Sequence, residues 1–374
     1  MHQHSNSRRQ WLQQSALAFA GLTLAPAWTN PTQEFDLQPF NGNPIRLGGN
    51  ENPYGPAPSA LKAMQEALKM SNRYPWAVTT QLREDIAKKN NLTVDHVIIG
   101  SGSSEILGLA AQWAALQKGN IVSASPTFGI WLSAAEKLGL QIKKIPLTAE
   151  KVHDLPKMAA AIDANTKIVY VCNPNNPTGT ILEAGQLKDF VTEISKERLV
   201  LLDEAYIEYT DEPSLANLVA DNKNLIVART FSKIYGLAGA RIGYGLAHPD
   251  TIKVLNGLQP WSNHGGSAVS LAAARASLAD DAFVKTSRQK NEQVKAFIFN
   301  ELKKMNIPYI NTHTNFFYYG ADKYKGSDLR QDYMKHNFNI GGISSDDTGK
   351  WARMTIGTMD EMKQVLNVMK TLLT

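Results

Sequence analysis

The sequence predicts an α/β fold in which a mainly parallel sheet lies between helices and a smaller α+β domain follows. Two patterns carry that expectation. Short apolar, β-branched runs alternate with helical stretches through the first two thirds of the chain, and beyond Ser267 longer helical spacing replaces the alternation. At 374 residues the chain exceeds the usual size of a single core, and no Pro/Gly/Ser linker divides it. Two domains sharing an interface are therefore expected.

Residues 1–27 read as a leader. Arg8 and Arg9 precede the apolar run 16–24, which is too brief to span a bilayer, and Ala25, Pro26 and Ala27 offer small residues for cleavage. This order predicts export by the twin-arginine route, to the periplasm or beyond, with no membrane attachment once the leader is removed. Residues 28–58 lack periodicity and read as an extended arm joining the small domain. A large domain is expected over 59–266, with helical spacing from Ser59, a helix over 105–117 and strands at 97–99, 121–124, 167–172, 199–203, 225–228 and 242–246. Such runs, separated by helices, imply parallel strands covered on both faces. The small domain is expected over 267–374, with helices at 267–278 and 283–305 and strands at 316–319 and 353–356.

Composition narrows the function. Hydrophobic residues at 43% and charged residues at 20% fit an ordinary globular enzyme. The net charge of +5 comes from 39 basic and 34 acidic residues scattered along the chain, so nucleic-acid binding has little support. Cys172 is the only cysteine, which rules out an intramolecular disulfide, and it ends an apolar run as a core thiol would. The eight histidines show no paired metal-ligand spacing, and neither GxSxG nor GxGxxG occurs.

The segment from Arg229 to Arg241 is the most informative. Lys233 stands just beyond the carboxyl edge of a strand, where open α/β sheets receive ligands, with Ser232 before it and Arg241 eight residues on. Lysine can form a Schiff base and arginine can grip a phosphate with two hydrogen bonds. About thirty residues earlier the run 199–202 ends in Asp203, a carboxylate able to pair with a protonated pyridine nitrogen, and Tyr206 follows within reach of the same ring. Alone, Asp203 would read as a helix cap and Lys233 as a solvated loop lysine. Upstream, two prolines and a glycine in Asn173–Gly179 fix a turn that presents Asn176. Gly100, Ser101, Gly102, Ser103, Ser104 and Glu105 lead from a strand into a helix, an arrangement that receives phosphate and equally suits a plain helix cap.

Taken together, NENPYG at 50–55, NRYP at 72–75, NPNNPTG at 173–179, DEAYIEY at 203–209 and SK followed by LAGARIGYG resemble the histidinol-phosphate aminotransferase-like family of class I/II aminotransferases. The resemblance runs in order through nearly all of the chain after the leader. It implies fold type I, pyridoxal 5′-phosphate as cofactor, and transfer of an amino group from a small-molecule donor to a 2-oxo acid. It implies Lys233 as the covalent anchor, Asp203 on the ring nitrogen, and Asn176 and Tyr206 on the ring oxygen. Gly102, Ser103, Ser232 and Arg241 would hold the phosphate, with Phe128 stacked on the ring. Tyr74 would reach the phosphate of a neighbouring subunit in a homodimer, and Tyr54, Asn176 and Arg353 would meet the substrate. Histidinol phosphate with 2-oxoglutarate is the first expectation for substrate. An aromatic or other L-amino acid donor, or a threonine-phosphate decarboxylase-like reaction, stays open because 341–347 carries no arginine and ends in Asp346 and Asp347. A secreted binding protein is the reading outside catalysis.

Overall fold

The computed structural model describes residues 44–374 except 264, 265 and 347. The leader and most of the arm lie outside these residues. Strand β1, Ile45–Leu47, is followed by helices Pro58–Leu68 and Trp76–Lys89 and then by the main sheet. That sheet contains β2 Val97–Gly100, β3 Asn120–Ser125, β4 Gln141–Pro146, β5 Thr166–Cys172, β6 Leu199–Asp203, β7 Leu225–Thr230 and β8 Gly243–Ala247. Its order is β2-β8-β7-β6-β5-β3-β4. All pairings are parallel except those of β8, which runs against both β2 and β7.

Alternation explains the layers. Val97, Ile99, Val169, Val171, Val200, Leu202 and Val227 face one core, while Ile98, Ile168, Tyr170, Leu201 and Ile226 face another. Strands buried on both sides read as continuous apolar runs, which is why six of the seven are visible in the sequence. The exception is β4, QIKKIP, an edge strand whose glutamine and two lysines hide it from an apolar count.

A second sheet holds β9 Tyr309–Ile310, β10 Phe316–Gly320, β12 Ile343–Asp346 and β13 Gly349–Thr355, in the order β12-β13-β10-β9. Between them β11, Phe338–Ile340, pairs in parallel with β1. The arm thereby joins this second layer, whose core is built from Phe317, Tyr319, Ile340, Met354, Val365 and their neighbours. The helix Ala268–Leu278, expected in the small domain, packs Leu271, Ala273 and Ala274 into the core of the main sheet instead. Its alanine-rich face lets it lie close against Pro58–Leu68. The following helix, Asp281–Lys304, sends Val294, Ile298 and Leu302 into the second core.

Candidate active site

Six strands, β2, β3, β4, β5, β6 and β7, all end at one edge of the main sheet and release their loops there. Strand β8 runs the other way, so its beginning reaches the same edge and brings Arg241 with it. Sequence-predicted residues from six separate stretches are thus gathered by topology alone.

Asp203 closes β6 and is 2% exposed. Its carboxylate accepts the Tyr170 phenol at 3.0 Å and the Ala205 amide at 3.1 Å. Burial raises its pKa to about 6, against the pull of those two hydrogen bonds. Lys233 Nζ donates to the Gly49 carbonyl at 3.2 Å and lies 5.6 Å from the centre of the Tyr206 ring. Burial draws its pKa down to about 8, helped by the nearby Arg353 guanidinium, with Glu51 and Asp203 acting oppositely.

The Tyr206 hydroxyl accepts from Asn50 Nδ2 at 2.9 Å and from Asn176 Nδ2 at 3.5 Å. Burial pushes that phenol above its ordinary range. Asn176 is held at both ends of its amide, for its Oδ1 also accepts from Arg353 Nη1 at 2.6 Å. Arg353 Nη2 donates to the Gly48 carbonyl at 2.6 Å, while its Nε is buried without a partner among the described residues. A buried donor left unmatched is costly, and an acidic ligand group would satisfy it.

At the other end, Gly102 at φ +79° precedes the helix Ser103–Leu116. A Cβ on Gly102 would stand 2.6 Å from Arg241 Nη2, so only glycine lets that guanidinium lie against the loop. Arg241 itself takes φ +51° and donates to the Ala238 and Ser101 carbonyls at 3.3 and 3.4 Å. A Cβ on Gly243 would come 2.4 Å from the Ser103 amide nitrogen, so this glycine admits the helix N-terminus to the sheet edge. Ser232 is 7% exposed next to Lys233. Phe128, half-buried after β3, packs on the second face of the sheet.

Two predicted residues stand apart. Tyr54 is half-buried with Lys290 Nζ 4.4 Å over its ring, and burial followed by the Glu361 charge raises its pKa. Tyr74 is 64% exposed, and its ring meets Trp76 at 5.5 Å and Trp261 at 4.8 Å. Sequence reasoning missed Asn50, which binds the Tyr206 hydroxyl, and Tyr170, which binds Asp203. Asn50 lies inside a motif the sequence displayed, whereas Tyr170 sits in an apolar strand and gives no signal. Asp347, noted for its charge near a substrate phosphate, lies outside the described residues.

The donor set fits pyridoxal 5′-phosphate. A buried carboxylate stands ready for a ring nitrogen and an amine of lowered pKa for an aldehyde. A glycine-led helix start with an arginine against it suits the phosphate, and the orphaned Arg353 Nε suits an acidic substrate group.

Comparison with known proteins agrees with this chemistry. The family model for aminotransferase class I and II matches residues 43–369. The chain is 38% identical to a histidinol-phosphate aminotransferase of Moorella thermoacetica, covering 88% of this chain and 85% of the relative. It is 36% identical to histidinol-phosphate aminotransferase 2 of Pseudomonas fluorescens, covering 91% of each. The crystal structure of histidinol-phosphate aminotransferase from Sinorhizobium meliloti in complex with pyridoxal 5′-phosphate superposes with a TM-score of 0.81 at 25% identity, over 93% of this chain and 98% of that one.

Proposed function

Since the chain belongs to the aminotransferase class I and II family, a pyridoxal-phosphate enzyme family, we propose that its amino donor is histidinol phosphate and its acceptor 2-oxoglutarate. The observation that carries the reading is the Arg353 guanidinium. It is anchored by Asn176 and Gly48 beside Lys233, with one buried donor left for an acidic substrate group. The names of the relatives support the same donor.

The roles follow from position. Lys233 Nζ is the covalent anchor and, once released, the base that takes and returns a proton at the substrate α-carbon. A pKa near 8 lets it do both close to neutrality. Asp203 holds the ring nitrogen, with Tyr170 fixing the carboxylate from behind. Tyr206 and Asn176 hold the ring oxygen, Phe128 covers the ring, and Gly102, Ser103, Ser232 and Arg241 hold the phosphate. For Tyr54, which stands apart in the single chain, the family resemblance alone supports a substrate contact. When bound, pyridoxal phosphate supplies the electron sink that makes an α-carbon proton removable.

The exposed ring of Tyr74 supports its role in a neighbouring subunit, and with it a homodimer. The Arg8-Arg9 leader supports export by the twin-arginine route. A size measurement with and without Tyr74→Ala tests the first, and localisation in cells lacking that route tests the second. Monomeric wild-type protein, or export unaffected by loss of the route, would overturn them.

Absorbance decides the substrate. Bleaching of the bound-cofactor band by histidinol phosphate supports the reading, and bleaching only by L-amino acids from a panel overturns it. The panel has its own motive: no arginine or lysine occurs in 341–345, and Ser344 there bonds the Tyr318 hydroxyl instead. An aromatic donor would ask less charge of that wall.

A further inference from the structure

Strand β2 is an edge strand, so the backbone of Ile99 turns away from β8 and would face solvent unpaired. Two side chains from a distant segment meet it. Gln259 Nε2 donates to the Ile99 carbonyl at 2.9 Å, and Asn263 Oδ1 accepts the Ile99 amide at 3.0 Å. They stand in for a missing strand. Gln259 Oε1 also accepts the Asn263 amide at 2.7 Å, and Asn263 Nδ2 reaches Asn256 Oδ1 at 3.1 Å, so the two act as one unit. Both are 7% exposed.

The unit reaches past the strand. Gln259 Nε2 donates a second hydrogen bond, at 2.9 Å, to Glu105 Oε1, and Glu105 Oε2 accepts the Ser101 amide at 2.6 Å. Ser101 in turn offers its carbonyl to Arg241 Nη2. A continuous run of contacts, Asn263–Gln259–Glu105–Ser101–Arg241, therefore surrounds the turn that contains Gly102. Among the described residues, Gln259 is the donor that orients the second oxygen of Glu105, and Glu105 is in turn the acceptor that fixes the Ser101 amide.

We propose that Gln259 and Asn263 are positioning residues for the phosphate turn, holding residues 100–105 in the shape that receives the cofactor's phosphate. The proposal rests on the phosphate assignment given above and goes beyond it by naming what sets the turn. A purely structural role would weaken the fold or the whole cofactor site evenly; a positioning role is selective for the phosphate.

The test titrates pyridoxal phosphate, and pyridoxal lacking the phosphate, into the cofactor-free full chain and reads Kd from absorbance. Gln259→Met keeps the side-chain length and removes the hydrogen bonds. It is expected to weaken pyridoxal phosphate about tenfold, the loss of roughly one buried hydrogen bond, and to leave pyridoxal unchanged. Gln259→Glu sets two carboxylates face to face and weakens the phosphate form further. The exchanged pair Glu105→Gln with Gln259→Glu restores an amide–carboxylate contact and recovers part of the preference. Asn263→Gly, which tolerates the φ of +56° at that position, gives the same reading if Gln259→Met does not fold. Equal weakening of both ligands, an unchanged preference, or no recovery in the exchanged pair would overturn the proposal. A wild-type chain that binds both ligands equally would instead overturn the phosphate assignment beneath it.

Discussion

Tyr170 donates its phenolic hydrogen to Asp203 from the adjacent strand, at 3.0 Å and out of reach of solvent. Burial raises the carboxylate's pKa and this bond restrains the rise. Tyr170→Phe should therefore shift the acid limb of the kcat profile upward by about one pH unit, the worth of one such bond. An acid limb that stays in place would refute the coupling.

Asp203→Asn should slow turnover at least about a hundredfold, since it removes the charge proposed to steady the cofactor ring. The cofactor-free protein gives an independent reading. The Asp203 pKa is about 6 when folded against an ordinary 3.8. The folded state thus binds the extra proton, and stability falls as pH rises from about 4 to 6. That part of the pH dependence should vanish from denaturant titrations of Asp203→Asn.

In the role proposed for it, Lys233 captures pyridoxal phosphate as the neutral amine. Its capture rate should rise with pH to a half-maximum near 8, the value to which burial draws it. For the same group the unfolded chain binds more protons between about 8 and 10.5, so stability rises with pH across that window. Lys233→Ala should lose both effects together with the absorption band; a band that survives would remove Lys233 from its role.

Arg353→Met removes the guanidinium but keeps the volume. KM for the donor should rise by about one to two orders of magnitude, with kcat falling less, because the contact is made on binding. Equal loss in kcat at unchanged KM would place Arg353 in the chemical step.

Behind the site, Arg229 bonds Glu204 at 2.9 Å, with the two side chains 13% and 3% exposed, and approaches Glu208 at 3.9 Å. Arg229→Ala takes the ion-pair partner from buried Glu204 and the stronger of the two cations acting on Glu208, and should cost about 3–5 kcal/mol in denaturant titration. A loss under 1 kcal/mol would mean that water reaches the pair.

The sequence displays what periodicity and motif residues can display. Strands buried on both faces announce themselves by unbroken apolar runs, and Lys233, Asp203 and Arg241 by their place after such runs. Strand β4 stays hidden because glutamine and two lysines break its apolar run, and β1 because three residues carry no period. Asn50 is visible as a letter in a motif but not as the partner of Tyr206, since that contact joins residues 156 positions apart. Gln259 and Asn263 have no periodic signal at all: their task is to satisfy the backbone of a strand whose edge position emerges only from the topology. Tyr74 shows the converse, a residue recognisable in its motif whose single-chain surroundings are two tryptophans and solvent.

Because β8 alone is reversed, the chain leaves the sheet edge after Thr230 and returns to it at Gly243. Lys233 and Arg241 therefore ride on one short excursion. The covalent and ionic grips proposed for the cofactor share a common tether, so an insertion within it would loosen both at once, while lengthening any neighbouring loop would disturb only one wall of the site. The segment is a transferable cartridge, and swaps between related chains should be cut at the two strand ends that bound it.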